Sequence, residues 1–100
     1  MLHTVNKSPL QSRTLEQCLA HVRPGGAVLL IEDAVYAATA RTAAGAQIEK
    51  SVAQFPVYVL EPDLKARGIA SKDVVKGVTA VDYAGFVKLV TEHDAVQAWL

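Results

Sequence analysis

One residue of this sequence carries a soft nucleophile, Cys18. Persulfide relay needs only one cysteine per carrier, because the thiolate that takes the sulfur onward belongs to another protein. His21 lies three residues later, and Arg13 and Arg23 are nearby in the sequence. A position about one turn into a helix, with basic neighbours, lowers the pKa of a thiol modestly. We therefore take Cys18 as the candidate catalytic residue, a possible persulfide carrier with a lowered pKa.

The same region also supports a purely structural role for the cysteine. Leu15, Cys18, Leu19 and Val22 recur at helical intervals and form one apolar stripe. Free cysteine is among the residue types that are most often buried. A lone cysteine also excludes an internal disulfide. The spacing leaves both interpretations of Cys18 open, a relay thiol and a core residue.

Three aspartates follow predicted strands, at the end of a parallel sheet where ligands gather. Asp33, Asp63 and Asp82 therefore resemble the acidic positions of a metal pocket in other α/β folds. Each of them also stands directly before a predicted helix or in its first turn. Carboxylates there cap free N–H groups and interact favourably with the helix dipole. We expect capping, and no metal site, at these positions.

The histidines His3, His21 and His93 do not combine with Cys18 into a zinc-binding spacing, and no Ser-His-Asp or Cys-His-Asn order is recognisable. Residues 6–9, after the first predicted strand, contain no glycine and so cannot form a glycine-rich phosphate loop. The sequence predicts neither a metal nor another cofactor. A flavodoxin-like small-ligand-binding module is the alternative from a different class. A thiol redox enzyme acting alone is a further alternative, which the missing resolving cysteine disfavours.

Apolar runs bounded by turn residues predict the elements that position these side chains. The predicted strands are Leu2 to Val5, Ala27 to Ile31, Val57 to Leu60, Val78 to Val81 and an edge strand at Ala95 to Trp99. Helical patterns begin near Thr14, Asp33, Pro62 and Asp82, and another contains Ile48. Strands that alternate with helices imply parallel pairing and right-handed crossovers. We expect an α/β fold, a three-layer α/β/α sandwich with a mainly parallel sheet of about five strands, formed by one domain over residues 1–100.

Two details of the C-terminal part are also predicted from the pattern. Thr14 and Gln17 have capping-box spacing at the start of the first helix, whereas Asp82 is expected to cap the last helix, whose apolar residues are expected to face inward. Those residues are Tyr83, Phe86, Val87 and Val90. Trp99 either closes the core of the domain or anchors a subunit contact, where tryptophan is over-represented.

Charge and hydropathy limit the partners. Ten basic residues balance ten acidic ones, so no net field attracts nucleic acid or an anionic membrane. The apolar run Ala27 to Ile31 is far too short to cross a bilayer, and Met1 to Val5 lacks the features of a signal peptide. We expect a cytoplasmic protein. Hydrophobic residues form 51% of the chain, which is hard to hide in 100 residues, so we expect part of this surface to face a partner.

Five stretches of the sequence resemble the DsrH/TusB family and together extend over essentially the whole chain. They are Met1 to Pro9, Leu30 to Asp33 with Val35 to Ala38, Val57 to Leu60 with Asp63 to Gly68, Val81 to Val87, and Gln97 to Leu100. Each stretch is weak alone, but the five in this order and spacing are specific. Ala34 departs from the family, whose members commonly have glycine there, and alanine suggests that no positive φ is needed.

The resemblance implies a DsrEFH-like fold and a heterohexamer with DsrE/TusD-type and DsrF/TusC-type subunits, two copies of each. Such complexes pass persulfide sulfur to a DsrC/TusE-type carrier, and their best supported sulfur-bearing cysteine belongs to the DsrE/TusD-type subunit. DsrH-type members have a cysteine in the first helix, which Cys18 matches. Many TusB-type members, which serve 2-thiouridine formation in tRNA, lack it. We therefore expect a non-catalytic or accessory subunit, in sulfur oxidation by preference and in tRNA thiolation as the alternative.

Overall fold

The computed structural model of the protein describes residues 1–100, which form five strands and several helices. The strands are β1 (Leu2–Val5), β2 (Ala27–Leu30), β3 (Val57–Leu60), β4 (Thr79–Val81) and β5 (Val96–Trp99). The α-helices are α1 (Thr14–Leu19), α2 (Ala43–Ser51), α3 (Glu61–Ala66) and α4 (Tyr83–Glu92). Two 3₁₀ helices, Glu32–Ala38 and Ser71–Asp73, complete the set.

All strand pairs in the sheet are parallel, and the strand order is β4-β3-β2-β1-β5. The chain moves stepwise from β1 to β4 and then returns past the whole sheet to pair β5 with β1. In this register Val5 lies opposite Leu30 on one side and Trp99 on the other. The predicted α/β fold, its parallel sheet and its edge strand are confirmed.

The larger core lies between the sheet and the first three α-helices. Alternate strand residues such as Val5, Val28 and Val59 point to this side and are fully buried. Ile48 of α2 and Leu64 of α3 pack against them. The central strands are covered on their other face as well, and burial on both faces explains the continuous apolar run of β2 in the sequence.

The opposite face of the sheet is covered by α4 alone. Leu89 is the buried residue of this helix, and it packs on Leu2 and Leu29 of the sheet. The predicted inward face is wrong: Tyr83 is 61% exposed, Val87 is 64% exposed, and Val90 is also exposed. Of the four predicted residues, only Phe86 is partly buried against this smaller core. The helix is therefore rotated about its axis relative to the prediction, with Leu89 against the sheet.

The helix starts agree with the sequence in part. Asp82 caps α4 as predicted, because its Oδ1 accepts a hydrogen bond from Gly85 N at 2.8 Å. The predicted capping box of α1 is absent, since Arg13 occupies the N-cap position without a side-chain hydrogen bond. Asp33 does not cap a helix either, and it lies inside the 3₁₀ helix that replaces the predicted α-helix. No helix is both long and apolar enough to cross a membrane.

Gly45 lies where α2 and the preceding turn approach each other closely. A Cβ atom at this position would collide with the carbonyl oxygen of Thr39 and lie 3.0 Å from Thr42 Oγ1. Thr42 Oγ1 also accepts the capping hydrogen bond from Gly45 N at 2.9 Å, so neither atom is free to move. In an ordinary helix, alanine in place of glycine is favourable by up to about 1 kcal/mol.

We predict that Gly45→Ala lowers the free energy of unfolding by about 1–3 kcal/mol, as overpacking typically does. Urea unfolding measures this change. The control is Ala46→Gly at the neighbouring exposed position, which reports helix propensity alone and should cost about 0.5–1 kcal/mol. A Gly45→Ala protein as stable as the wild type would contradict the close approach of these two segments.

Candidate functional site

Cys18 lies near the C-terminal end of α1, inside the larger core. The helix runs from Thr14 to Leu19, so the cysteine is its last residue but one. Its exposed fraction is 0%, and it packs with the buried residues of the sheet, among them Val5. The sequence predicted a position about one turn from the helix start. In a helix of six residues, that position coincides with the helix end.

The predicted fall in the thiol pKa is wrong. Burial raises the pKa of Cys18 from 9.0 to about 12, because the surrounding core gives a thiolate no solvation. The helix end adds no compensation, since the exposed carbonyl groups there carry partial negative charge. The structure therefore has a protonated, enclosed thiol at neutral pH.

His21 does not contact the thiol by a hydrogen bond. Its Nδ1 lies 2.7 Å from the carbonyl oxygen of Gln17, and a carbonyl can only accept, so Nδ1 carries the proton. The ring centroid of His21 lies 5.6 Å from that of Trp99, with the planes tilted by 47°. The histidine thus belongs to an aromatic cluster at the sheet edge instead of activating Cys18.

Trp99 closes the core of its own chain. Its indole Nε1–H donates a hydrogen bond to His3 Nδ1 at 3.0 Å, across the β1–β5 pair, and its ring packs against the larger core. This donation requires an unprotonated Nδ1, so the neutral ring of His3 carries its proton on Nε2. His3 is only 4% exposed. No local pattern could indicate this pair, because its members are 96 residues apart.

An open cleft of about 260 Å³ lies beside this cluster. Its walls come from the start of β1, the turn before β2 and the edge strand β5. They include His3, His21, Arg23, Gln97 and Trp99, and no acidic side chain.

The three predicted acidic positions separate into different roles. Asp82 caps α4, whereas Asp33 accepts a hydrogen bond from Arg67 Nε at 2.9 Å. Asp63 lies in the first turn of α3, and its Oδ2 accepts a hydrogen bond from Glu32 N at 2.6 Å. No group of three or more His, Cys, Asp or Glu side chains is arranged to hold a metal ion. Asp33 and Asp63 thus link α3 to the segment that follows β2.

One of the two non-glycine residues with a positive φ lies at the same junction, and the other is Arg41. Glu32 has a φ of 50°, in the left-handed region that non-glycine residues seldom adopt. The bond from its N–H to Asp63 holds this conformation. Ala34 has no positive φ, so the expectation from its departure from the family pattern is confirmed. Its side chain is buried in the larger core.

We predict that His3 makes folding less favourable in mild acid. Burial lowers the pKa of His3 below 6.5, with further contributions from the charges of the N-terminus and His21. The unfolded chain therefore binds a proton at a pH where the folded chain does not. The contribution of His3 to the free energy of unfolding is fully present above about pH 6.5. It is lost as the pH falls through the lowered pKa of His3 in the folded chain.

Urea unfolding from pH 7.5 to 5 measures this loss in the wild type and in His3→Gln, whose amide oxygen can still accept from Trp99. The variant should lose less stability over this range. Equal pH dependence of the two proteins would show that His3 is not the group responsible.

The fold occurs in solved structures of low sequence identity. The ychN protein from E. coli superposes with a TM-score of 0.80 and 18% identity, covering 97% of each chain. MTH1491 from Methanobacterium thermoautotrophicum, described as a protein of unknown function, gives a TM-score of 0.72 and 16% identity, covering 97% of this chain and 95% of that one. At these identities the likeness concerns the fold alone.

Sequence comparison identifies the family. The model described as DsrH like protein matches residues 7–96. Protein TusB of Pectobacterium parmentieri is 38% identical over 100 residues, which cover 99% of this chain and all of that protein. Protein TusB of Klebsiella pneumoniae (strain 342) is 35% identical with the same coverage. The chain therefore belongs to the DsrH/TusB family of sulfur-relay proteins.

Proposed function

We propose that the protein is an accessory, non-catalytic subunit of a cytoplasmic sulfur-relay complex that delivers persulfide sulfur to a DsrC/TusE-type carrier. The observation that supports this proposal is that Cys18, the one thiol of this chain, is buried and protonated. Cys18 is 0% exposed and has a pKa of about 12. A principal sulfur carrier needs an accessible thiolate, which favours a cysteine of another subunit for that role.

The proposed partners are a DsrE/TusD-type and a DsrF/TusC-type subunit, in a heterohexamer with two copies of each. The exposed apolar side of α4 supports association. Tyr83, Val87 and Val90 form one side of this helix and remain in contact with solvent in the isolated chain. Together with Phe86 and Thr91 they line a shallow apolar depression. A contiguous surface of this kind is typical of a protein–protein contact.

Sulfur transfer through such a complex is an exchange between a persulfide and a thiolate. The acceptor thiolate attacks the outer sulfur of the persulfide, a new S–S bond forms, the old one breaks, and the donor leaves as a thiolate. Electrons and sulfur atoms balance without an external oxidant. For Cys18 to act as an accessory carrier in this exchange, α1 must first move away from the sheet. With six residues, α1 is short enough for local opening.

Two pathways are consistent with this role. The curated relatives described above are both named TusB, which favours 2-thiolation of the tRNA wobble uridine. The preference for sulfur oxidation rests on Cys18, which matches the first-helix cysteine of DsrH-type members, and it stays a prediction. The buried position of this thiol gives it a packing role in either pathway.

We predict that Cys18 is labelled slowly in the native protein. At neutral pH, a pKa of about 12 in place of 9.0 leaves roughly 1,000-fold less thiolate, and enclosure slows access further. Alkylation followed by intact-mass measurement compares the native with the urea-unfolded protein. In the assembled complex, relay should survive Cys18→Ser at a reduced rate. Complete loss of relay in a normally folded Cys18→Ser complex would contradict the accessory role.

We also predict that a charge on the apolar side of α4 weakens assembly. Val87→Glu should reduce co-purification with the two partner subunits after co-expression, because the contact would bury an unpaired carboxylate. Ala84→Glu is the matched control, since Ala84 is exposed on the same helix but does not line the apolar depression. Light scattering and thermal melting of the isolated variants check that both fold. Equal assembly of the two variants would place the contact elsewhere.

A further inference from the structure

In the aromatic cluster, one hydrogen-bond donor of His3 has no acceptor in the protein. The Trp99 indole occupies Nδ1 at 3.0 Å, so the proton of the neutral ring is on Nε2. No protein atom accepts from this Nε2–H. His3 is only 4% exposed, but it is one of the residues that line the open cleft. The one fully enclosed side-chain nitrogen or oxygen atom without a partner is Asn6 Oδ1, so Nε2 of His3 is not fully enclosed. A buried ring therefore directs a fixed N–H donor toward this space.

A positive charge without a protein partner lines the same cleft. The chain has four arginines, and three of them pair with carboxylates: Arg13 with Glu16, Arg41 with Asp73, and Arg67 with Asp33 and Asp63. Arg23 has no carboxylate within 4.0 Å, and it contributes to the wall of the cleft. Since no aspartate or glutamate lines the cleft, nothing in the chain neutralises the guanidinium there.

The remaining walls fit the same kind of ligand. The Gln97 side chain supplies a further amide group. Trp99 forms an apolar wall. A water molecule occupies about 30 Å³ in the liquid, so the cleft of about 260 Å³ admits one tetrahedral or planar anion with part of its hydration.

We propose that this cleft binds a single oxyanion, either a free ion or the carboxylate that ends a polypeptide chain. The anion accepts from His3 Nε2–H and from the Arg23 guanidinium, two donors that come from different elements. Charge-assisted hydrogen bonds of this kind are stronger than neutral ones, and arginine suits the planar geometry of a carboxylate. The site is independent of the proposed relay, because neither Cys18 nor α4 contributes to it.

Nitrogen-detected NMR of the full chain tests the proposal with inorganic phosphate as the probe. Constant pH and ionic strength exclude general salt effects. The free protein should show the Nε2–H tautomer of His3. Phosphate should shift the His3 Nε2–H and Trp99 Nε1–H resonances and reach saturation. A His3 ring with its proton on Nδ1, or shifts that grow linearly and extend to all basic residues, would overturn the proposal.

Arg23→Gln and Arg13→Gln form a matched pair of variants. Both remove one positive charge from an exposed arginine, but only Arg23 lines the cleft. Arg23→Gln should raise the Kd for phosphate by about tenfold or more, the usual consequence of losing a charge-assisted hydrogen bond. Arg13→Gln should change it less than about twofold, as expected for a distant screened charge. Equal effects of the two variants would mean that phosphate binds through net charge alone, which would overturn the site.

Short peptides distinguish the two sources of the anion. A peptide with a free C-terminal carboxylate is compared with its amidated form and with acetate. Tighter binding of the free acid than of acetate, lost on amidation, identifies a chain end as the ligand. Phosphate binding without peptide binding identifies a free ion. Equal binding of the acid and the amide at these residues would overturn recognition of an oxyanion. Each measurement can be repeated in Cys18→Ser, so failure here leaves the relay proposal untouched.

Discussion

The handedness of parallel crossovers decides how this sheet is covered. Connections between parallel strands are right-handed, so every step from β1 to β4 puts its helix on the same face. The return from β4 to β5 runs in the opposite direction and must put α4 on the other face. Five strands at about 4.8 Å spacing span roughly 19 Å between the outer two, whereas one helix is about 10 Å wide. A single ten-residue helix therefore leaves part of this face of the sheet uncovered, and the exposure of Val96 in β5 follows from this shortage.

The opposite face has the reverse property. Three α-helices and a 3₁₀ helix cover it closely enough to enclose Cys18 completely, and this coverage excludes the water that a thiolate requires. The desolvation that stabilises the core thus removes the reactivity of the thiol. This coverage fits the proposed accessory role, in which another subunit carries the reactive sulfur.

The sequence was a good guide to features that local pattern determines. Apolar runs located all five strands to within one or two residues, and Asp82 was correctly predicted as a helix cap. Prediction failed where the result depends on distant parts of the chain. The rotation of α4 is set by Leu89 fitting the sheet, although Val87 on the exposed side of the helix is also aliphatic. Cys18 was expected near the positive end of its helix, but local pattern does not fix how soon such a short helix ends.

The candidate cleft was beyond sequence-based prediction for the same reason, since it joins the two ends of the chain. His3 and Trp99 meet only because β5 returns to the edge beside β1, and their hydrogen bond both seals the core and fixes the tautomer of the histidine. In that tautomer the second ring nitrogen, Nε2, carries the proton. His3 lines the cleft together with Arg23, which has no carboxylate partner. The cleft opens on the side of α1, whereas the apolar residues of α4 lie across the sheet. The surface proposed for assembly and the cleft proposed for the anion therefore lie on opposite sides of the sheet.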